Sequence, residues 1–329
     1  MRIPKSDELS LSLSGTAAPE PSVAVDLAGD AVDRIDVGWC EFRFTGRTAL
    51  RTARILELCD GETTIEEIAR RLAAPEATVG ATVTALYTRG ILRDTRRAQV
   101  PAGLFAEHAV ARGRTLRTAM SSEVELLGAP PHRRFLLGTL VETYHFVASA
   151  PVHLGAAVAH VADAQVREAL VRLFNDEADH GRTLRAGLVA AGLSEETIEG
   201  SAPLPATRSV INFLRTLAAT DLLSYAVCAA VNESPKTDTA IKKGWDELIA
   251  LDLLPAEALL PFRGHELEDE ESGHTAIAQA VFAERATLSA AEQRRICAEL
   301  ESFIAVQHGC YREMKEFYGA EAGPVAWGV

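Results

Sequence analysis

Three Glu-x-x-His pairs combine residue types and a spacing that could do chemistry: Glu142/His145, Glu177/His180 and Glu271/His274. On a helix, a three-residue step puts both side chains on one face, so each pair can offer an oxygen and a nitrogen to a single ion. Carboxylates and imidazoles on facing helices suit iron or manganese and leave positions open for other ligands. A chain with nine histidines and this many glutamates produces about one such pair by chance, so their placement on the elements must decide.

The segment LVRLFNDEADHGRTLRAGL predicts a helix that buries Leu170, Phe174, Leu184 and Leu188, and Glu177 and His180 continue that stripe inward. A buried carboxylate is costly or protonates unless something balances it. A cation is one solution, and a Glu–Arg or His–backbone pair is another. The segment SVINFLRTLAATDLLSYAVCAAVNES is apolar nearly all round, as a central helix would be, with Arg215, Asp221 and Glu233 as its ionisable members. Glu233 ends the run just before Pro235, where the helix must stop.

In PFRGHELEDEESGHTAIAQAVF, residues placed at about 100° each give an inward arc of Leu267, Ile277, Ala278 and Val281. That arc contains Glu270, Glu271 and His274, whereas His265, Asp269 and Ser272 fall on the other side. His274 with Glu270 or Glu271 is therefore favoured over His265/Asp269. Tyr144 and Phe146 flank His145, so either face of that helix could be buried. Glu142, Tyr144 and His145 read as pocket-lining residues with ligand or proton-transfer roles, or as a plain buried hydrogen-bonded group.

The elements that position these residues are predicted to be mainly helical. Residues 1–30, rich in Ser, Ala, Pro and Asp, read as a disordered leader. Within 31–100, GWCEFRF alternates like a strand, TALRTARILELCDG is a helix stopped by Gly61, and TTIEEIARRL carries a capping box from Thr63 or Thr64 to Glu66 or Glu67. A third helix ends at Gly90, completing a small winged-helix domain. Residues 101–329 form an all-α bundle of about seven helices without strands.

Composition excludes several classes. At 329 residues, 47% hydrophobic and 24% charged, the chain has the make-up of a soluble globular protein with about two domains. No apolar run is long enough for a membrane helix and the N-terminus lacks a signal-peptide core, so a cytoplasmic location is expected. A net charge of −13 without a basic tract argues against nucleic acid. Five scattered cysteines without a C-x-x-C pair read as reduced. The apolar face of ICAELESFIAVQHGCYREMKEFY could pair two copies as a homodimer.

Two resemblances follow from these motifs. ARILELCDGETTIEEIARRL followed by TVTALYTRGIL resembles PqqD and related peptide-recognition domains of modified-peptide pathways. That resemblance implies a precursor peptide added as a strand to a sheet edge. LFNDEADHGRTL, then PLPATRSVINFL leading to Glu233, then GHELEDEESGHTAIA, resembles the haem-oxygenase-like di-iron oxidases, relatives of PqqC and thiaminase II. It implies a haem-oxygenase-like bundle holding one or two Fe2+ ions, with O2 as co-substrate. The implied ligands are Glu177, His180, Glu233, Glu270 or Glu271, and His274.

Many members carry H-x-x-x-D-x-x-H; aligned on His274, this chain has Leu267 and Glu271, and a variant with the carboxylate four residues before the histidine would use Glu270. Glu142 or His145 is then available to a second iron. The implied substrate is an amino acid, an amine or a peptide-linked molecule, oxidised by N-oxygenation, desaturation or C–C cleavage. Two alternatives remain: a metal-free oxidase like PqqC, and a non-enzymatic peptide-binding partner.

Overall fold

The computed structural model describes residues 15–21, 32, 34–36, 41–89, 91–94, 99–123, 132–233, 238–272 and 277–328. Its contacts divide the chain into one unit of residues 1–123 and 286–295, and a second of 124–285 and 296–329.

In the first unit, β1 (Pro19–Pro21) pairs antiparallel with β4 (Leu92–Asp94), and β2 (Arg34–Asp36) with β3 (Glu41–Arg43). Part of the segment read as a leader is thus built into a sheet: Pro19 carries its carbonyl to the Gly61 N–H and Ala17 its carbonyl to the Ile65 N–H. Three helices follow: α1 (Gly46–Leu56), α2 (Ile65–Arg71) and α3 (Glu76–Thr88). Of the two threonines Thr64 caps α2, accepting the Glu67 N–H at 3.1 Å, while the Glu67 carboxylate turns to Arg70 and Arg71 rather than closing a capping box. The turn before it is held by Asp60, which accepts from the Glu62 and Thr63 N–H groups and the Thr63 hydroxyl, so its carboxyl falls to about 2. Gly61 sits in that turn at φ 79°, a conformation that a side chain would oppose. Ile35, Ile55, Ile65, Ile68, Val83 and Leu92 close the core. The unit also holds α4 (Ala102–Glu123) and a short antiparallel pair, β5 (Gln99–Pro101) with β6 (Thr287–Ser289). The β6 strand departs from the strandless C-terminal half expected from periodicity.

The second unit is helical: α5 (Arg133–Ala148), α6 (Ala150–His160), α7 (Ala164–Glu177), α8 (His180–Ala190), α9 (Glu195–Gly200), α10 (Pro205–Thr220), α11 (Leu222–Asn232), α12 (Asp238–Ala250), α13 (Ala256–Ser272), α14 (Ile277–Ala283) and the 296–318 part of α15 (Ala290–Tyr318). The mainly helical fold class is as predicted. The segments outnumber the seven expected because long apolar runs are interrupted. The run expected to form one central helix is broken at Asp221, whose φ of −148° and ψ of 83° end α10. Asp221 then caps α11 by accepting from the Ser224 N–H at 3.4 Å, and it also accepts from the Ser224 hydroxyl at 2.6 Å. Beyond that break α11 is buried on all sides from Ser224 to Val231.

Close helix approaches fix the bundle. A Cβ at Gly187 would come within 2.8 Å of the Ala258 carbonyl oxygen and 2.9 Å of the Phe262 ring, so α8 and α13 touch through bare backbone. At Gly181 a Cβ would meet that of Ala148 at 3.0 Å, which brings α8 against the end of α5. Helix α6 packs on α7 and α10, and α11 packs on α10 and α14.

Candidate metal centre

Glu177 closes α7 and His180 opens α8, so the helix predicted through both is interrupted at Ala178–Asp179. The Ala178 N–H bonds the Asn175 carbonyl, a tighter three-residue step, and Asp179 carries its carbonyl to the Arg182 N–H. Short polar residues at 175, 176 and 179 favour such breaks because their side chains compete for backbone groups. The i,i+3 relation survives. Both side chains are buried, and His180 Nδ1 lies 2.9 Å from Glu177 Oε2. An ionised carboxylate only accepts, so Nδ1 is the donor in this contact. Nε2 faces Glu268 Oε2 at 3.6 Å, beyond hydrogen-bonding distance, and Glu268 itself is largely exposed.

His265 is buried beside His180, ring centroids 4.5 Å apart. This departs from the arc that set His265 aside. That arc took its phase from Ile277, Ala278 and Val281, which belong to α14, a separate element from α13. On α13 itself the buried face is Ala258, Leu259, Phe262 and His265, and Leu267 is only half-buried. Glu270, Glu271 and Asp269 have side chains outside the described residues, and His274 lies wholly outside them.

Glu233 stands at the C-terminal end of α11, as expected from Pro235. Its Oε1 accepts from Asn232 Nδ2 at 3.1 Å, and Asn232 Oδ1 in turn accepts from the buried Gln307 Nε2 at 2.9 Å. An amide relay from α15 therefore orients this carboxylate. His153 on α6 and Tyr225 on α11 complete the surroundings, with the Tyr225 hydroxyl 2.8 Å from His153 Nδ1. Burial drives the His153 imidazole down to about 4, against an upward pull from Glu177. Burial raises the Tyr225 phenol, with the Glu233 and Glu177 charges adding to it. Sequence periodicity missed His153, Tyr225 and Gln307; the signal for Tyr225 was a polar residue within a helix otherwise buried all round.

Glu142 and His145 engage other partners. Glu142 is buried and accepts from Tyr318 Oη at 2.8 Å and from the Leu204 N–H at 3.1 Å. Burial raises its carboxyl, and hydrogen bonds from Thr207, Tyr318 and Leu204 offset part of that rise. The Tyr318 ring lies so close to Gly138 that a Cβ there would collide with it. His145 Nε2 bonds Ser201 Oγ at 3.0 Å; burial, with the Arg208 charge, lowers it to about 4. Tyr144 packs beside His145, ring centroids 5.2 Å apart.

Among the described residues, no three His, Cys, Asp or Glu side chains stand together at metal-holding distance. The donor kinds nevertheless fit iron: two buried imidazoles from facing helices, one with its Nδ1 held by a carboxylate.

Among solved structures, a domain of unknown function with a heme oxygenase-like fold from Shewanella denitrificans OS217 is similar to this chain. The two share 16% identity over 66% of this chain and 94% of that one, with a TM-score of 0.48. No curated protein matches the sequence. The family model of the iron-containing redox enzymes matches residues 138–308, more than half of the chain and the whole run from Glu142 to His274, and the protein belongs to that family.

Proposed function

We propose that the second unit is a non-haem iron, O2-dependent oxidase or oxygenase that holds one or two ions at His180 and His265, with the remaining donors drawn from Glu177, Glu233, Glu270, Glu271 and His274. One observation carries this reading: the buried Glu177–His180 pair meets His265 inside the segment matched by the family model. When bound, iron supplies the electrons and Lewis acidity that O2 chemistry needs. Glu177 holds the Nδ1–H of His180, which sets the ring's orientation and presents Nε2 as the ligand atom. Asn232 and Gln307 hold the Glu233 carboxylate through their amide relay.

The buried position of His265 moves the H-x-x-x-D-x-x-H register by two residues. His265 takes the first place, Asp269 the second and Ser272 the last. The chain then lacks one imidazole, and His274 with Glu270 or Glu271 supplies donors for a second ion.

The substrate is an amino-acid-, amine- or peptide-derived molecule. The N-terminal unit supports the peptide form: its two-stranded β2–β3 sheet offers an edge of the kind that accepts an added strand.

The test is anaerobic loading of purified protein with Fe(II), followed by exposure to O2. Bound iron with O2 uptake, both lost in Glu177→Gln and His180→Ala, supports the reading; protein that binds no Fe(II) refutes it. A labelled leader peptide that does not bind the full chain removes the peptide part alone.

A further inference from the structure

We propose that Oε1 of Gln307 is a binding subsite for the ammonium group of a small amine, held at the inner end of a polarised amide relay. Taking that amine as the substrate rests on the oxidase reading above and narrows its substrate class; the contact itself needs no iron.

Gln307 is 4% exposed, and its Oε1 is buried without a hydrogen-bond partner among the described residues. Its Nε2 donates to Asn232 Oδ1 at 2.9 Å, and Asn232 Nδ2 donates to Glu233 Oε1 at 3.1 Å. An amide can exchange its oxygen and nitrogen by rotation, so the direction of such a relay depends on its fixed end. That end is Glu233. An ionised carboxylate only accepts, so Asn232 turns its Nδ2 to Glu233 and its Oδ1 to Gln307. Gln307 must answer with Nε2, and the relay can terminate only in an acceptor.

The polar side chains buried on α11 itself have partners: the Ser224 hydroxyl donates to Asp221, and the Tyr225 hydroxyl meets His153 Nδ1. One turn before Gln307 on α15, Phe303 and Ile304 are fully buried and bring no donor. One turn after it, the Cys310 thiol is engaged with Thr207 and Met314. A buried acceptor without a donor costs free energy, so the ligand atom that suits Oε1 is an N–H or an O–H.

Charge selects between these. Each amide in the relay is polarised by its neighbour, so the Glu233 charge strengthens Oε1 as an acceptor. A hydrogen bond with one ionised partner is roughly twice as strong as a neutral one, so an ammonium gains more than a hydroxyl. A ligand carboxylate brings no donor and is repelled.

The test titrates the full chain, metal-free and Fe(II)-loaded, with propylammonium, propanol, tetramethylammonium and propionate. Binding is followed by NMR of isotope-labelled glutamine side-chain amides, the Gln307 signal being the one lost in Gln307→Met. Propylammonium should move that signal and bind more tightly than propanol, whereas propionate and tetramethylammonium, a cation without an N–H, should not move it. Gln307→Glu keeps an acceptor here but loses the amide donor to Asn232. Calorimetry should show propylammonium binding weakened by roughly 10–100-fold in Gln307→Met, the loss of one hydrogen bond to a charged group, and kept in Gln307→Glu. Loss in both variants overturns the contact, because Gln307 then acts only through Asn232. A wild-type signal that propylammonium does not move, or that tetramethylammonium moves equally, also overturns it, leaving a buried water as the partner of Oε1. Protein that binds propylammonium but no Fe(II) keeps the subsite and refutes the oxidase reading; Fe(II) bound without propylammonium removes the subsite alone.

Discussion

The imidazole of His180 lies against that of His265, ring centroids 4.5 Å apart and inclined by 57°, although the two residues belong to helices far apart in the chain. One ring has its Nδ1 held by Glu177, and the other is carried by the buried face of α13. A first prediction follows. His265→Ala should weaken Fe(II) binding by more than the roughly 10–100-fold typical of residues behind the ligands, as His180→Ala should, whereas His145→Ala should leave it nearly unchanged. Competition with a chelator under argon measures all three.

The amide relay to Glu233 predicts a selective loss. Gln307→Leu keeps side-chain bulk but removes the donor to Asn232 Oδ1, so Glu233 loses its orientation. Iron affinity should fall by roughly tenfold, the size of effect expected of a residue behind the ligands. Far-UV circular dichroism should stay unchanged.

Gly138 predicts a packing defect. Alanine there forces the Tyr318 ring away from α5 and draws its hydroxyl from Glu142. The cost should be about 1–3 kcal/mol of strain, with a further loss if the buried carboxylate goes unpartnered. Urea denaturation of Gly138→Ala and of Tyr318→Phe separates the two parts.

Acidification should destabilise the metal-free protein. His153 titrates near 4 when folded and at its ordinary 6.5 when unfolded. Between those values the unfolded chain binds a proton that the native chain does not, so stability falls as pH drops from 6.5 toward 4. The share due to His153 is about 3 kcal/mol when fully developed. Denaturation at pH 7.5 and pH 4.5 should show a smaller drop in His153→Gln than in wild type.

The sequence displayed some of this and hid the rest for physical reasons. Glu177 and His180 were legible because an ionisable pair interrupting an apolar stripe is a local pattern. Thr64 was legible as a cap because its partner Glu67 is three residues away. The break at Ala178–Asp179 was not, since it depends on a few short polar residues within an otherwise helical run. His265 was misplaced because its helix phase was carried across from α14 to α13. Glu142 gave no sign of its partner, because Tyr318 reaches it from the far end of the chain. Asp221 invited a functional reading from its apolar setting, and its hydrogen bonds to Ser224 make it a cap instead.

Gly187 lies about two helical turns, or some 10 Å, along α8 from His180. The backbone of α13 rests directly on it. The missing methyl group therefore acts as a gauge block for the spacing between the His180 and His265 rings. A residue larger than glycine at 187 would work as a wedge, opening the gap between the two donors while every donor remained in the sequence. The reach of one ion from helix to helix is thus set at a position that bears no chemistry of its own.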